Sequence, residues 1–441
     1  MFTLNYLANP GKQLSRFETI TLLITVFAIF TFPIGFLSIR HSVHLPIFII
    51  FLISLVAWGK SQFKFDQTTL GPEAISLSIA LSSLSIATIT TQVINNDFHI
   101  AALDGPSKIL LAGLCIIYLS KQAINYIKIL GFAIPIGLLY LLLIILYQPE
   151  TSAAWGGRYA TKFVDPNSLG GQTAILSILC LALIDQKDQF LIKLLKLSGT
   201  FCGVFVMVQA QSRGGWLTFT MMFITWLILQ IIYPVDTSSK KSIKKILAST
   251  IAFILAITLL ITFTPSIQSR IAHTFFEITT WLNDPLIYTS AGSRVSMWVA
   301  SIQLISENWL GYGEIAIKEI AANHPVYTGI HQHGVKDLIN AGPHADILSK
   351  GLSLGLLGIA SYLATIFIPL IFFLKNIKRA KAVIRKVSQI GFIYIVGVFT
   401  AGLFNETLSL KYLCSFYGLM IACLAAQVLY EPNANASDKT T

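Results

Sequence analysis

The chain has 441 residues, of which 54% are hydrophobic and 12% charged, and a mean hydropathy of +0.71. Soluble domains carry about 25% charged residues, so half that load excludes a water-soluble enzyme and points to an all-α, polytopic membrane protein. The net charge of +11 invites a nucleic-acid reading. The cations, however, lie between apolar runs rather than in a basic stripe with stacking aromatics, which is the pattern of membrane orientation.

Twelve apolar runs follow one another along the chain, near 19–38, 43–59, 74–92, 107–120, 129–148, 169–184, 190–208, 215–233, 246–264, 346–374, 389–405 and 410–430. The first follows Lys12 and Arg16 without a small-residue cleavage site and reads as a retained anchor. The fourth is short and polar at its entrance, so it spans or lies partly in the interface. With the N-terminus cytoplasmic and loops alternating, 20 of the 31 lysines and arginines fall on the cytoplasmic side, including both basic clusters, 240–245 and 375–386. The resulting organisation is spans 1–9 over 1–264, a periplasmic loop with short helices over 265–345, spans 10–12 over 346–430, and a cytoplasmic tail over 431–441. A loop of about 80 residues inside a compact protein is expected to be functional or separately folded. It contains a helical pattern from Ser293 to Glu307. Cys115, Cys180, Cys202, Cys414 and Cys423 all sit in apolar segments without CxxC spacing, so neither zinc nor a disulfide framework is expected.

On this topology the outward-facing ionisable residues include Lys108, Arg158, Lys162, Arg213, Arg270, Arg294, Lys318, Lys336 and Lys350, with His324, His331, His333 and His344. Arg213, in Gln-Ser-Arg-Gly-Gly-Trp between the seventh and eighth runs, is either a snorkelling anchor or an anion ligand. Arg294, in Gly-Ser-Arg-Val-Ser-Met-Trp, stands at the start of the loop's helical piece, where a solvated helix end is the commoner outcome. Lys108 stands at the mouth of the fourth run. His344, in Ala-Gly-Pro-His-Ala-Asp, stands where the long loop re-enters the membrane. His331 and His333 form a His-x-His pair that lacks a third ligand at metal spacing, so no zinc is expected there.

The order of these features is more specific than any one of them. Lys108, Arg213, Gly-Ser-Arg294 before Met-Trp, and a long loop ending in His344 resemble the bacterial O-antigen ligase and O-antigen polymerase superfamily of membrane glycosyltransferases. The topological likeness covers most of the chain, and three patches carry the motifs: Gln211–Leu217, Arg294–Gly313 ending in Asn-Trp-Leu-Gly-Tyr-Gly, and His344–Gly358 with Leu-Gly-Leu-Leu-Gly at its end. Phe163-Val-Asp-Pro-Asn167 is a weaker echo. The third patch departs from the family pattern: Ala345 stands at its usual Asn, and the first of two neighbouring histidines is missing.

The resemblance implies transfer of a glycan from undecaprenyl diphosphate to an acceptor hydroxyl at the periplasmic face of the bacterial inner membrane, without a cofactor. Planar guanidinium forks suit diphosphate oxygens, so Arg213 and Arg294 become its clamps, with Lys108 adding a point charge. Diphosphate is a good leaving group when cations neutralise it, so no metal is required. His344 becomes the general base, with surrounding cations favouring its neutral form. The acceptor implied first is the lipid A–core oligosaccharide. Alternatives are another lipid-linked repeat (a polymerase) or a protein hydroxyl such as one on pilin. A polysaccharide flippase is the competing class, but it would carry charges deep within several spans, whereas here they gather at span ends.

Overall fold

The computed structural model describes residues 15–59, 71–234, 265–313, 342–379 and 381–430, with isolated positions between these segments. It is all-α. In chain order the helices are α1 (Arg16–Gly35), α2 (His44–Gly59), α3 (Pro72–Ile94), α4 (Asp104–Leu119), α5 (Tyr126–Tyr147), α6 (Pro166–Ala182), α7 (Phe190–Gln209), α8 (Arg213–Ile232), α9 (Pro265–Asn283), α10 (Ser290–Glu307), α11 (Asp346–Ile377), α12 (Ala382–Gly402) and α13 (Lys411–Leu429).

Nine of these, α1, α3, α4 (with the turn Ile100–Leu103 that precedes it), α5, α7, α8, α11, α12 and α13, are long and apolar enough to cross a membrane, so the protein is polytopic with about nine candidate spans among the described residues. The twelve expected runs map onto these nine, onto the 16-residue α2 and the 17-residue α6, and onto 246–264, most of which lies outside the described residues. At 1.5 Å per residue, α2 and α6 are roughly 24–26 Å long, a little short of the ~30 Å hydrocarbon core.

Local chemistry explains where the helices start. Ser15 and Glu18 make a reciprocal capping box that opens α1, the Ser15 Oγ accepting from the Glu18 N–H at 3.2 Å. Asn125 caps α5. Outward faces carry exposed Ile79, Leu143 and Phe201, whereas α6 and α13 are enclosed on nearly every side. Such apolar enclosure suits a bundle interior, and the exposed aliphatic faces suit contact with lipid.

One helix is broken on purpose. Gly355 interrupts α11 with φ 64° and ψ −152°, a region open essentially to glycine alone. The break admits the chain segment after α10: Leu356 N–H donates to the Trp309 carbonyl, Tyr312 N–H to Leu352 and Gly313 N–H to Ser353, each at 2.9 Å. A side chain on Gly355 would collide with the Trp309 carbonyl. The second and third motif patches are therefore stitched together through their backbones, and their glycines have a structural reason to be there.

Candidate functional site

Three helix N-termini meet at one cavity among the described residues. At α6, Asp165 Oδ1 accepts from the N–H groups of Asn167 (2.8 Å) and Ser168 (3.1 Å), with Pro166 in the first turn. At α8, Ser212 Oγ accepts from Gly215 at 3.2 Å. At α10, Thr289 Oγ1 accepts from Gly292 at 3.0 Å. The close approach of α6 and α8 depends on glycine: a Cβ on Gly215 would lie 2.7 Å from the Gly170 carbonyl. The Gly-Gly after Arg213 thus lets two helix starts meet at backbone contact. Each N-terminus contributes the partial positive charge of its helix, an ordinary element of an anion site, offset at α6 by the Asp165 carboxylate.

Four arginines line the same cavity: Arg158, Arg213, Arg270 and Arg294. Asn167, Ser168, Gln172, Phe404, Asn405 and Thr407 help to enclose it, and among the described residues no acidic side chain is part of the lining. Arg158 donates from Nε to the Ala210 carbonyl (3.0 Å) and from a terminal nitrogen to Asn167 Oδ1 (2.8 Å). Arg270 Nε donates to Gln211 Oε1 at 3.2 Å. Arg213 makes a two-pronged contact with Glu277, at 2.7 and 3.4 Å, while its Nε is buried without a hydrogen-bond partner. A buried donor left unsatisfied costs about 1–3 kcal/mol, so a ligand that accepts from it would be favoured.

The electrostatics follow from this crowding. Burial, and then the neighbouring charges of Arg270, Arg294 and Arg213 against the opposing pull of Asp165, bring the Arg158 guanidinium down to about 10. Burial alone would raise the Glu277 carboxyl. The Arg213 hydrogen bond and charge, with the Ala291 N–H and His273, outweigh it and hold that carboxyl below its ordinary range. Gathered cations repel one another, and an anion relieves the repulsion. The cavity volume is about 70 Å³, several times the roughly 10–15 Å³ that holds one water, which is room for a phosphoryl-sized group.

α9 supplies two of these groups from one face, since Arg270 and Glu277 are seven residues apart. A second face carries Ile271, Phe275, Ile278 and Leu282, all exposed, at the 4-3-4 spacing of an apolar stripe.

The structure thus brings Arg213 and Arg294 to one cavity and adds Arg158 and Arg270, which the sequence marked only as outward-facing. Arg158 follows two positive-φ glycines, Gly156 and Gly157, outside the motif patches. The Asp-Pro-Asn echo nearby was its one signal. Arg270 was legible only through its i+7 carboxylate on an amphipathic stretch. Lys108 is not part of the lining. It is buried, and its ammonium lies 2.5 Å from Asp104, which also pairs with Lys411 at 2.7 Å.

His344 is likewise outside the lining, but its loop packs along one edge. The Pro343 carbonyl accepts from Trp298 Nε1 at 3.1 Å, one helical turn beyond Arg294, and a side chain on Gly342 would collide with the Glu406 carboxylate. Asp346 accepts from the Thr407 hydroxyl and, at 2.9 Å, from the Leu408 N–H. His344 itself adopts φ 50°. His324, His331 and His333 lie outside the described residues.

Fold and site together define a polytopic membrane protein with a cavity lined by four arginines at one end of its helices. Residues 198–363 match the family model described as O-antigen ligase, and the chain carries an O-antigen ligase family domain. The matched segment holds Arg213, Arg270, Arg294, His344 and Gly355 and leaves out Arg158. An uncharacterized protein of Haemophilus influenzae (strain ATCC 51907 / DSM 11121 / KW20 / Rd) is 23% identical over 321 residues, covering 70% of this chain and 75% of the relative. The family domain implies a glycan-transferring enzyme with lipid-linked glycan substrates in a membrane.

Proposed function

We propose that this protein is an O-antigen ligase-like glycosyltransferase, moving a glycan from undecaprenyl diphosphate onto the lipid A–core oligosaccharide at the periplasmic face of the inner membrane. The observation that carries the reading is the convergence of Arg158, Arg213, Arg270 and Arg294 with three helix N-termini on one cavity. In this reading the arginines hold the diphosphate and stabilise charge on it as the glycosidic bond breaks. His344 takes the proton of the incoming hydroxyl from the cavity's edge. Lys108, shared with Asp104, adds positive charge to the region rather than a fork on phosphate. No metal takes part.

The topology proposed is twelve spans, both termini in the cytoplasm, and the 265–345 segment in the periplasm, ending where the tenth span begins. The apolar stripe of α9 supports sideways entry of the donor. A polyprenyl tail gains roughly 0.8 kcal/mol per CH₂ buried, so the diphosphate has to reach the arginines while the tail stays in the bilayer.

The test is transfer in vitro with purified lipid-linked donor and acceptor, alongside a knockout examined on a lipopolysaccharide gel. Loss of polymer-capped lipopolysaccharide, with glycan accumulating on the lipid carrier, is expected. Retention of a single repeat on the core would reassign the chain as a polymerase. Normal lipopolysaccharide with unglycosylated pilin would reassign it as a protein glycosyltransferase.

A further inference from the structure

A second recess lies away from the arginines, between the end of α3 and the segment that runs through the break in α11. Gln92, Asn95, Asp97, His99, Ala102 and Gly313 line it. Gln92 is 7% exposed. Its amide N–H₂ donates to the His99 carbonyl at 2.8 Å, while its Oε1 is buried with no hydrogen-bond partner. Buried amide oxygens rarely go unsatisfied, and each such case calls for an explanation.

The Asp97 carboxylate is an acceptor too. Its Oδ1 lies 2.7 Å from His99 Nε2, so that ring nitrogen donates to it. Asp97 Oδ2 faces Gly313, where a Cβ would lie 3.9 Å from it. Asn95 Nδ2 donates one of its two N–H groups to the Gly311 carbonyl at 3.1 Å. A carboxylate beside an unsatisfied amide oxygen disfavours phosphate and calls for a hydrogen-bond donor. The volume of the recess is about 20 Å³, enough for one water or one hydroxyl.

We infer that this recess is a sugar-hydroxyl subsite, holding the uncharged glycan portion of a lipid-linked substrate through Gln92 Oε1 and the Asp97 carboxylate. The inference rests on the glycan-transfer reading and adds to it a division of labour: cations at one site for diphosphate, acceptors at the other for hydroxyls. The two sites share a scaffold. Gly313 bonds to Ser353, and seven residues earlier in α11 Asp346 bonds to Thr407 of the arginine cavity. Those two anchor points are about 10 Å apart along the helix.

The experiment uses the full chain in detergent with three separate probes. These are inorganic pyrophosphate, calcium chloride, and a panel of unphosphorylated sugars (glucose, galactose, N-acetylglucosamine and their short oligomers), followed by saturation-transfer NMR and calorimetry. Gln92→Leu and Asp97→Asn should each weaken sugar binding about tenfold and leave pyrophosphate binding within about twofold, while Arg294→Ala should do the reverse. Asp97→Asn keeps the shape of a half-exposed side chain, so it reads out binding even if Gln92→Leu fails to fold. The subsite is overturned if no sugar of the panel binds the wild type, or if binding survives both substitutions. It is also overturned if calcium binds and is lost in Asp97→Asn. Sugar binding lost in both variants supports the subsite even where pyrophosphate fails to bind the wild type, a result that would instead overturn the arginine cavity.

Discussion

Arg213 and Glu277 make the most informative pair to break, because the contact that stabilises the resting cavity is also the one that diphosphate would replace under the proposed function. Their side chains are 21% and 16% exposed and meet at 2.7 Å, and Glu277 also accepts from the Ala291 N–H at 3.2 Å. Hydrogen bonds to charged groups are worth about 1.5–3 kcal/mol. Breaking a fully buried pair costs about 3–5 kcal/mol, and residual exposure moves this pair to the lower end. Arg213→Ala and Glu277→Ala should therefore each cost about 3 kcal/mol. The double variant should cost about 2 kcal/mol less than their sum, the signature of a direct coupling. Equilibrium unfolding in mixed micelles measures all three.

Pyrophosphate affinity separates structure from function. Glu277→Ala frees the Arg213 fork and should tighten binding up to tenfold, about 1.4 kcal/mol, whereas Arg213→Ala and the double variant should both bind weakly. The coupling should also depend on pH in one direction. The Glu277 carboxyl is held below its ordinary value of 4.5, so its stabilisation is complete above that value and is lost as pH falls through the lower folded-state value. Additive stability effects, or pyrophosphate binding lost in a folded Glu277→Ala protein, would refute the argument that this carboxylate stands in for the ligand.

Gly355→Ala should destabilise by about 2–3 kcal/mol or more, since alanine at φ 64° and ψ −152° is strained and its methyl meets the Trp309 carbonyl; a thermal melt of the purified protein checks this. Arg294→Lys should restore only part of the transfer rate lost in Arg294→Ala, because lysine keeps the charge without the bidentate fork. His344→Ala should abolish transfer and leave lipid-linked donor binding largely intact, with His331→Ala and His333→Ala as comparisons. A near-normal rate in His344→Ala would remove it from the role of base. Transfer should persist in EDTA, and its loss there would overturn the metal-free mechanism.

The membrane class was legible without any structure, because apolar composition over 16 or more residues determines both helix and environment by itself. The helix starts have an equally local cause: Ser15 with Glu18, Asp165 before Pro166, and Ser212 before Arg213 are caps whose chemistry acts within four residues. Arg213 and Arg294 stood out because their motif patches are contiguous in the chain. Arg158 and Arg270 did not, since what makes them part of the cavity is the meeting of α6, α8, α9 and α10, and no run of neighbouring residues records which helix ends meet. The contact between Gly170 and Gly215, 45 residues apart, illustrates the point: each is an ordinary helical glycine until the other helix arrives. The same holds for Lys108, a cation at a span mouth by sequence, whose partner Asp104 is one turn away and whose distance from the arginines only packing decides. Local propensity acts along the chain, while burial, ion pairing and unsatisfied donors depend on what other segments bring, and those are settled by the tertiary fold.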